Sequence, residues 1–319
     1  MNIRHLQAAL AAVTLSLPIA AAAQADAWPS ENVELIVPYA AGGGVAMMAR
    51  AFAQQAQAIT GRNWVVMHRE GAGGVVGFTA LANARPTGYT VMFSPASPLT
   101  NSPFINPNLP FEARQIEPVC QVFDNVFSIA VKQDSPVRSF EELMGKAKAA
   151  PGTVSYSHAG PASVPHLSLA AVERDAGVRF NAIAYRGDGP AMADAMAGVV
   201  DFSAPAISSL PGKPLRPLAV LSDRRHPAYP DVPTVKELGY TVISPGLNGL
   251  YVPSGTPRPV IERLAALCKQ VTESPAYAAS AKNLMQVPSY LPAQQFKDRI
   301  AQTYKVHAAL VPGMKLEAR

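Results

Sequence analysis

Residues 33–59, VELIVPYAAGGGVAMMARAFAQQAQAI, restrict the fold more than any other stretch of the 319-residue chain. They open on a β-branched run and then change period, with apolar residues at Ala49, Phe52, Ala53, Ala56 and Ile59 in helical spacing. Gly42, Gly43 and Gly44 stand between the two patterns. The pattern predicts a strand, a glycine turn and a helix, the repeating unit of α/β folds. Glycines let the turn's backbone approach a guest closely, and the helix that follows offers unpaired N–H groups and the positive end of its dipole. A carboxylate would suit such a cradle. The same residues would equally serve as a tight turn between packed elements, and a short glycine motif leaves both readings open.

The unit recurs along the chain. Residues 64–68 (WVVMH) read as a second strand, followed by the glycine-rich REGAGGVVGFTALANA. Gly71 and Gly73 have Val76 where a third glycine would complete G-x-G-x-x-G, so the dinucleotide fingerprint fails. Residues 89–93 (YTVMF) read as a third strand delivering Ser94 and Ser97 to its carboxyl end, the edge of an open sheet where ligands sit. The apolar run in CQVFDNVFSIAVKQDSP suits a strand crossing between two lobes. Ser139 and Glu142 fit a capping box at the head of a helix that ends before Pro151. A second set begins with a strand at 153–157, whose loop HAGPASVP leads into a helix with Ser163 as N-cap and Pro165 in the first turn. Strands at 181–185, 199–203 and 215–222 and a helix at 191–197 complete it. The run LNGLYV crosses back, a helix follows Thr256 and Pro257 with Val260, Ile261, Leu264, Leu267, Cys268 and Val271 on one face, and a last helix covers 293–310.

Length agrees with two cores. The expected organisation is an α/β, two-lobed fold with two crossover strands and a cleft: residues 26–122 with 252–319 in lobe 1, and 123–251 in lobe 2. Residues 1–25 read as a cleavable signal peptide, with one Arg, an apolar stretch over 8–23 and small residues near the cleavage point. That stretch is shorter than the roughly 20 apolar residues of a membrane span, so the mature chain is expected to be periplasmic and not inserted in a membrane. Lys and Arg number 27 against 22 Asp and Glu, a net charge of +5 without a basic run interleaved with aromatics, which argues against nucleic acid. The two cysteines, Cys120 and Cys268, either form one disulfide in an oxidising compartment or remain two buried thiols.

Seven stretches, in one order across nearly the whole mature chain, carry a resemblance: WPSENVELIVPYAAGGG, GAGGVVG, PTGYTVMFS, SYSHAGPASVPHL, YRGDGPAMADAMAGVVDF, LRPLAVLSDRRHPAYPDVPTVKELG and GLYVPSGTP. Together they resemble the extracytoplasmic solute receptors of tripartite tricarboxylate transporters, the Bug or TctC-like family. The resemblance implies a periplasmic binding protein fold of the two-crossover type (type II) and a small carboxylate ligand between the lobes. It also implies transporter membrane subunits as partners and no cofactor. A ligand carboxylate would be held by backbone amides and waters between residues 39–45 and 157–166. Relatives usually show Thr or Ser and then Asp after the glycines, where this chain has Val45 and Ala46, and Asp188 stands where they often have Gly.

The candidate ligand-binding residues are therefore Tyr39, Ala41, Gly42, Gly43, Gly44, Ser94, Ser97, His158, Ala159, Gly160, Ser163, His166 and Asp188. Each also has a structural reading: Tyr39 covering the core, Ser94 and Ser97 capping a turn, Asp188 capping a helix, the histidines satisfied in the core. Arg186 would steer an anion or pair on the surface, and Asn248 would reach the cleft or serve a turn. His158 and His166 share a loop without a third metal ligand at useful spacing. G-x-S-x-G, S-x-x-K, H-E-x-x-H and a P-loop are missing, which favours a binding protein over an enzyme. A signalling sensor without a transporter would have the same kind of sequence. A receptor that must dock is expected to be a monomer.

Overall fold

The computed structural model describes residues 28–243, 245–286, 288–311 and 314, so the expected signal segment lies outside the described residues. The first unit forms as its periodicity predicts, with Val33–Val37 as strand β1 and Gly44–Thr60 as helix α1. The helix stops at Gly61, whose left-handed backbone (φ 66°) returns its N–H to Gln57 O at 2.9 Å. Trp64–His68 is β2, Val75–Ala82 α2, Thr90–Pro95 β3, Ser97–Thr100 the short α3, and Ile116–Asn125 the long β4. The third strand runs further than expected, so Ser94 lies inside it, because Ser94 and Pro95 pair with the returning strand.

One residue, Val126, separates β4 from Phe127–Lys132 (β5), and with it the chain passes from one sheet to another. The second set comprises Phe140–Ala149 (α4), Ser155–His158 (β6), Val164–Ala176 (α5), Asn181–Ala184 (β7), Asp188–Ala197 (α6), Phe202–Ser203 (β8) and Leu215–Leu221 (β9). Ser139 Oγ caps α4 by accepting from Glu142 N at 3.2 Å, while the Glu142 carboxylate reaches past the cap to Arg138 N at 2.6 Å. The chain returns as Gly246–Pro253 (β10), followed by Arg258–Thr272 (α7), Pro275–Asn283 (α8), Pro288–Pro292 (β11) and Ala293–Leu310 (α9). Two of these, α8 and β11, were not expected. Residues 199–201 remain outside β8, since its pairing is limited to Phe202 and Ser203.

The sheets have related plans. The first runs β11-β4-β10-β3-β1-β2 and the second β7-β6-β8-β5-β9. In the first, β1 is parallel to β2 and β3, and β10 is antiparallel to β3 and β4. In the second, β6 is parallel to β7 and β8, and β5 is antiparallel to β8 and β9. All of β10 pairs within the first sheet, whereas the sequence reading drew its boundary at 251. Each sheet has its own core, around Phe52, Trp64, Phe93 and Tyr277 in one and around Phe140, Tyr156, Phe180 and Phe202 in the other. Cys120 on β4 and Cys268 on α7 are joined as a disulfide inside the first core.

Candidate functional site

A partly open cavity lies where the two sheets' leading loops meet. From the first lobe it is lined by Tyr39, Gly43–Ala46, Pro95, Ser97 and Asn125; from the second by Phe127, Ala159, Ser163–Pro165 and Asp188. Two helices therefore begin at its wall. Gly43, the residue before α1, supplies no side-chain cap, and Ser163, the residue before α5, caps nothing with its hydroxyl. Ser163 Oγ is buried without a hydrogen-bond partner. In α1, Gly44 N donates to Ser209 Oγ at 2.8 Å, while the N–H groups of Val45 and Ala46 have no intrahelical acceptor by helix geometry. Two positive dipole ends and a free hydroxyl thus face one space, a setting for an anion. Among the described residues that line it, none is Lys, Arg or His.

The walls are held together across the lobes by hydrogen bonds and close packing. Ala40 N donates to Arg186 O at 2.8 Å, and Asn101 Nδ2 to Ala162 O at 2.8 Å. Gly43 packs on Asp188, where a Cβ would lie 3.2 Å from the aspartate's own Cβ. Tyr39 donates its phenol to Gly73 O at 3.0 Å, and burial pushes that phenol up to about 12, so it stays a neutral donor.

Of the residues singled out from sequence, Tyr39, Gly43, Gly44, Ser97, Ala159, Ser163 and Asp188 are brought together around this cavity. The others are placed elsewhere. Ser94 is buried and donates to Pro95 O, because it sits within β3 and not beyond its end. Ala41 and Gly42 are exposed and outside the lining, with the Ala41 carbonyl close against Gly189. Gly160 packs against Gly73 behind the cavity wall. Asn248 is buried in β10 and donates to Gly246 O. Arg186 is exposed with its guanidinium 3.7 Å from Glu70. Asp188 is the first residue of α6 and not its cap, a place taken by Gly187. Asn125 and Phe127 line the cavity from the crossover and were missed, because register and not local pattern decides which way they face.

His158 and His166 stack at 4.4 Å between ring centres, behind the lining. His158 Nδ1 bonds Gly160 O at 2.9 Å, and His166 Nδ1 accepts from Ala162 N at 3.2 Å, so the pair shapes the loop. Among the described residues no three His, Cys, Asp or Glu side chains are grouped to hold a metal. Burial, with His166 adding to it, pushes His158 down to about 3, and burial takes His166 down to about 4. Both rings are neutral in the folded chain, whereas the unfolded chain protonates them near 6.5. A lowered folded value means that their contribution is intact above pH 6.5 and drains away as the pH falls towards 4. Thermal melts across that window should lose stability more steeply for wild type than for His166→Gln; parallel slopes would refute this assignment.

Two α/β lobes joined at crossover strands, with helix N-termini converging on a shared cavity, define the periplasmic binding protein class. A solved periplasmic transporter protein superposes with a TM-score of 0.86 at 28% identity, over 92% of this chain and 100% of its own. The periplasmic binding protein BugD does so with 0.85 at 27%, over 91% and 99%. An R. palustris protein solved with adipate shares the fold, with a TM-score of 0.85 at 22% identity over 91% and 99%. Residues 48–316 match the tripartite tricarboxylate transporter family receptor (TctC) model, and the chain belongs to that family. Among curated relatives, BugT of Bordetella pertussis is 33% identical over 86% of this chain and 87% of its own. The UPF0065 protein of the gbd 5' region of Cupriavidus necator is 30% identical over 99% of both. Members of the family are binding proteins, and no described helix is long and apolar enough to cross a membrane.

Proposed function

We propose that this chain is a periplasmic solute receptor: exported by a cleavable signal peptide, it captures a small carboxylate-bearing ligand between its lobes and presents it to transporter membrane subunits. It acts as a monomer and performs no catalysis. Its lobes are residues 28–125 with 246–309, and 127–243, with Leu310, Val311 and Met314 packed against the second core. The observation that carries the reading is the convergence of the α1 and α5 N-termini, one from each lobe, on a cavity that also holds the unpartnered Ser163 hydroxyl. A carboxylate bridging the two ends would draw the lobes together, because it gains contacts in the closed form that the open form lacks.

Thermal-shift screening of small carboxylates against the mature protein tests the reading, since a ligand of the native state raises its Tm. Gly43→Val supplies the site control. Gly43 has φ −85° and ψ 162°, a conformation that valine adopts freely, so folding should be spared. The added side chain would press on Asp188 and fill the approach to the helix end. Affinity for the acid found in the screen should fall by about tenfold or more, the effect of one lost well-placed contact. Equal affinity in the two proteins would refute the assignment of this loop.

A further inference from the structure

Asp188 is the unexpected group in an anion site. It lines the cavity, is 8% exposed, and stands on the second lobe directly beneath Gly43 of the first. Its hydrogen bonds all fall on Oδ2, from Ala206 N at 3.0 Å and Ser209 Oγ at 3.3 Å, both neutral donors. Its neighbour Arg186 offers no compensation, with an exposed guanidinium beside Glu70. A buried carboxyl without a cation is strained towards its neutral form, and burial raises this one to about 6. Asp188 is the one carboxyl among the described lining residues; beside the two helix ends, the rest are apolar or neutral polar groups, Tyr39, Ser97, Asn125 and Ser163.

The cavity therefore combines a region that attracts an anion with a carboxyl group that repels one. A ligand satisfies both by turning a carboxylate to the helix ends and an N–H donor to Asp188. A dicarboxylate has to bring its second charge into the same site, beside a buried carboxylate in surroundings of low dielectric. We infer that Asp188 is a specificity-determining residue, which selects monocarboxylates bearing an N–H donor, cationic or amide, and disfavours ligands with a second carboxylate. This rests on the carboxylate reading above and narrows the ligand class within it.

The test is isothermal titration of the mature protein near pH 7.5 with length-matched probes: adipate, 6-aminohexanoate and adipate monoamide, then succinate, β-alanine and succinamate. Wild type should favour an N–H-bearing probe over its dicarboxylate by about tenfold or more, the penalty for a like charge brought into the same site. The amino and amide arms distinguish an ammonium from a neutral donor. Asp188→Asn should narrow or invert that preference. Asp188→Ser, which also removes the charge, should do the same and guards against a folding defect particular to asparagine. Dicarboxylates binding wild type as well as their N–H-bearing partners, or a preference unchanged in both variants, would overturn the inference and leave the carboxylate reading standing. If no acid binds wild type while adipamide does, the carboxylate reading itself falls, and this inference with it.

Discussion

Replacing both Cys120 and Cys268 with alanine should lower stability by about 5 kcal/mol, the loop-closure value for a bridge of this span. The two half-cystines are 148 residues apart, and the loop they close contains the whole second sheet as well as β10. In the unfolded chain the bridge removes the entropy of a very long loop, which is where most of its effect is expected to lie. In the folded chain it ties β4, the strand that leads into the crossover, to α7, which covers the same face. Both cysteines have no exposed surface, so alanine adds a small packing loss to the entropic term. At about 2 °C per kcal/mol for a chain of this size, Tm should fall on the order of 10 °C. Denaturant titration of the double variant against wild type decides the matter, and a midpoint within experimental error of wild type would refute it.

Which parts of the fold can be read from the sequence follows from where the information lies. The first strand, glycine turn and helix were legible because period changes within a few residues and glycine marks the junction. The last helix was legible over Ala293–Leu310, where the period turns helical after Pro292. Helix α8 was not: it starts Ser-Pro and buries little beyond Tyr277 and Ala281, so it carries almost no apolar stripe. Strand β11 was hidden by a proline at each end, tolerated because it is an edge strand paired on one side. Around the cavity, Tyr39, Gly43 and Gly44 were legible beside the glycine turn, while Ala41 and Gly42 of the same turn fall outside the lining and the residues set by long-range register were missed. Asn125 faces the cavity while its Oδ1 accepts from Gln286 Nε2 at 2.7 Å, a contact 161 residues away that no local pattern encodes. His158 and His166 were open in sequence to a ligand role or a structural one, and their hydrogen bonds and stacking support the loop's shape.

The glycine-rich stretch GAGGVVG, which failed as a dinucleotide motif, yields the largest expected effect on binding. Gly73 lies in the first lobe with φ 63° and ψ 22° and meets the second lobe's loop so closely that a Cβ would sit 1.9 Å from Pro161 O. Opposite it, Gly160 at φ 120° would bring its own Cβ 2.8 Å from Gly73 N. Backbone meets backbone here, so no side chain can swing aside to make room. Gly73→Ala should therefore hold the lobes apart and lower ligand affinity roughly 100-fold, because a closed form reduced to a small fraction of the population reduces apparent affinity by that fraction. The left-handed backbone adds a strain of about 1 kcal/mol for alanine, which has to be separated from the clash. Gly177→Ala makes that separation: it has φ 63° and ψ 30° at the end of α5, and nothing lies within 4 Å of its added Cβ. Both variants should lose a similar, small amount of unliganded stability, while only Gly73→Ala loses the ligand. Wild-type affinity in Gly73→Ala would show that the lobes bind without this contact, and an equal loss in Gly177→Ala would assign the effect to strain and not to closure.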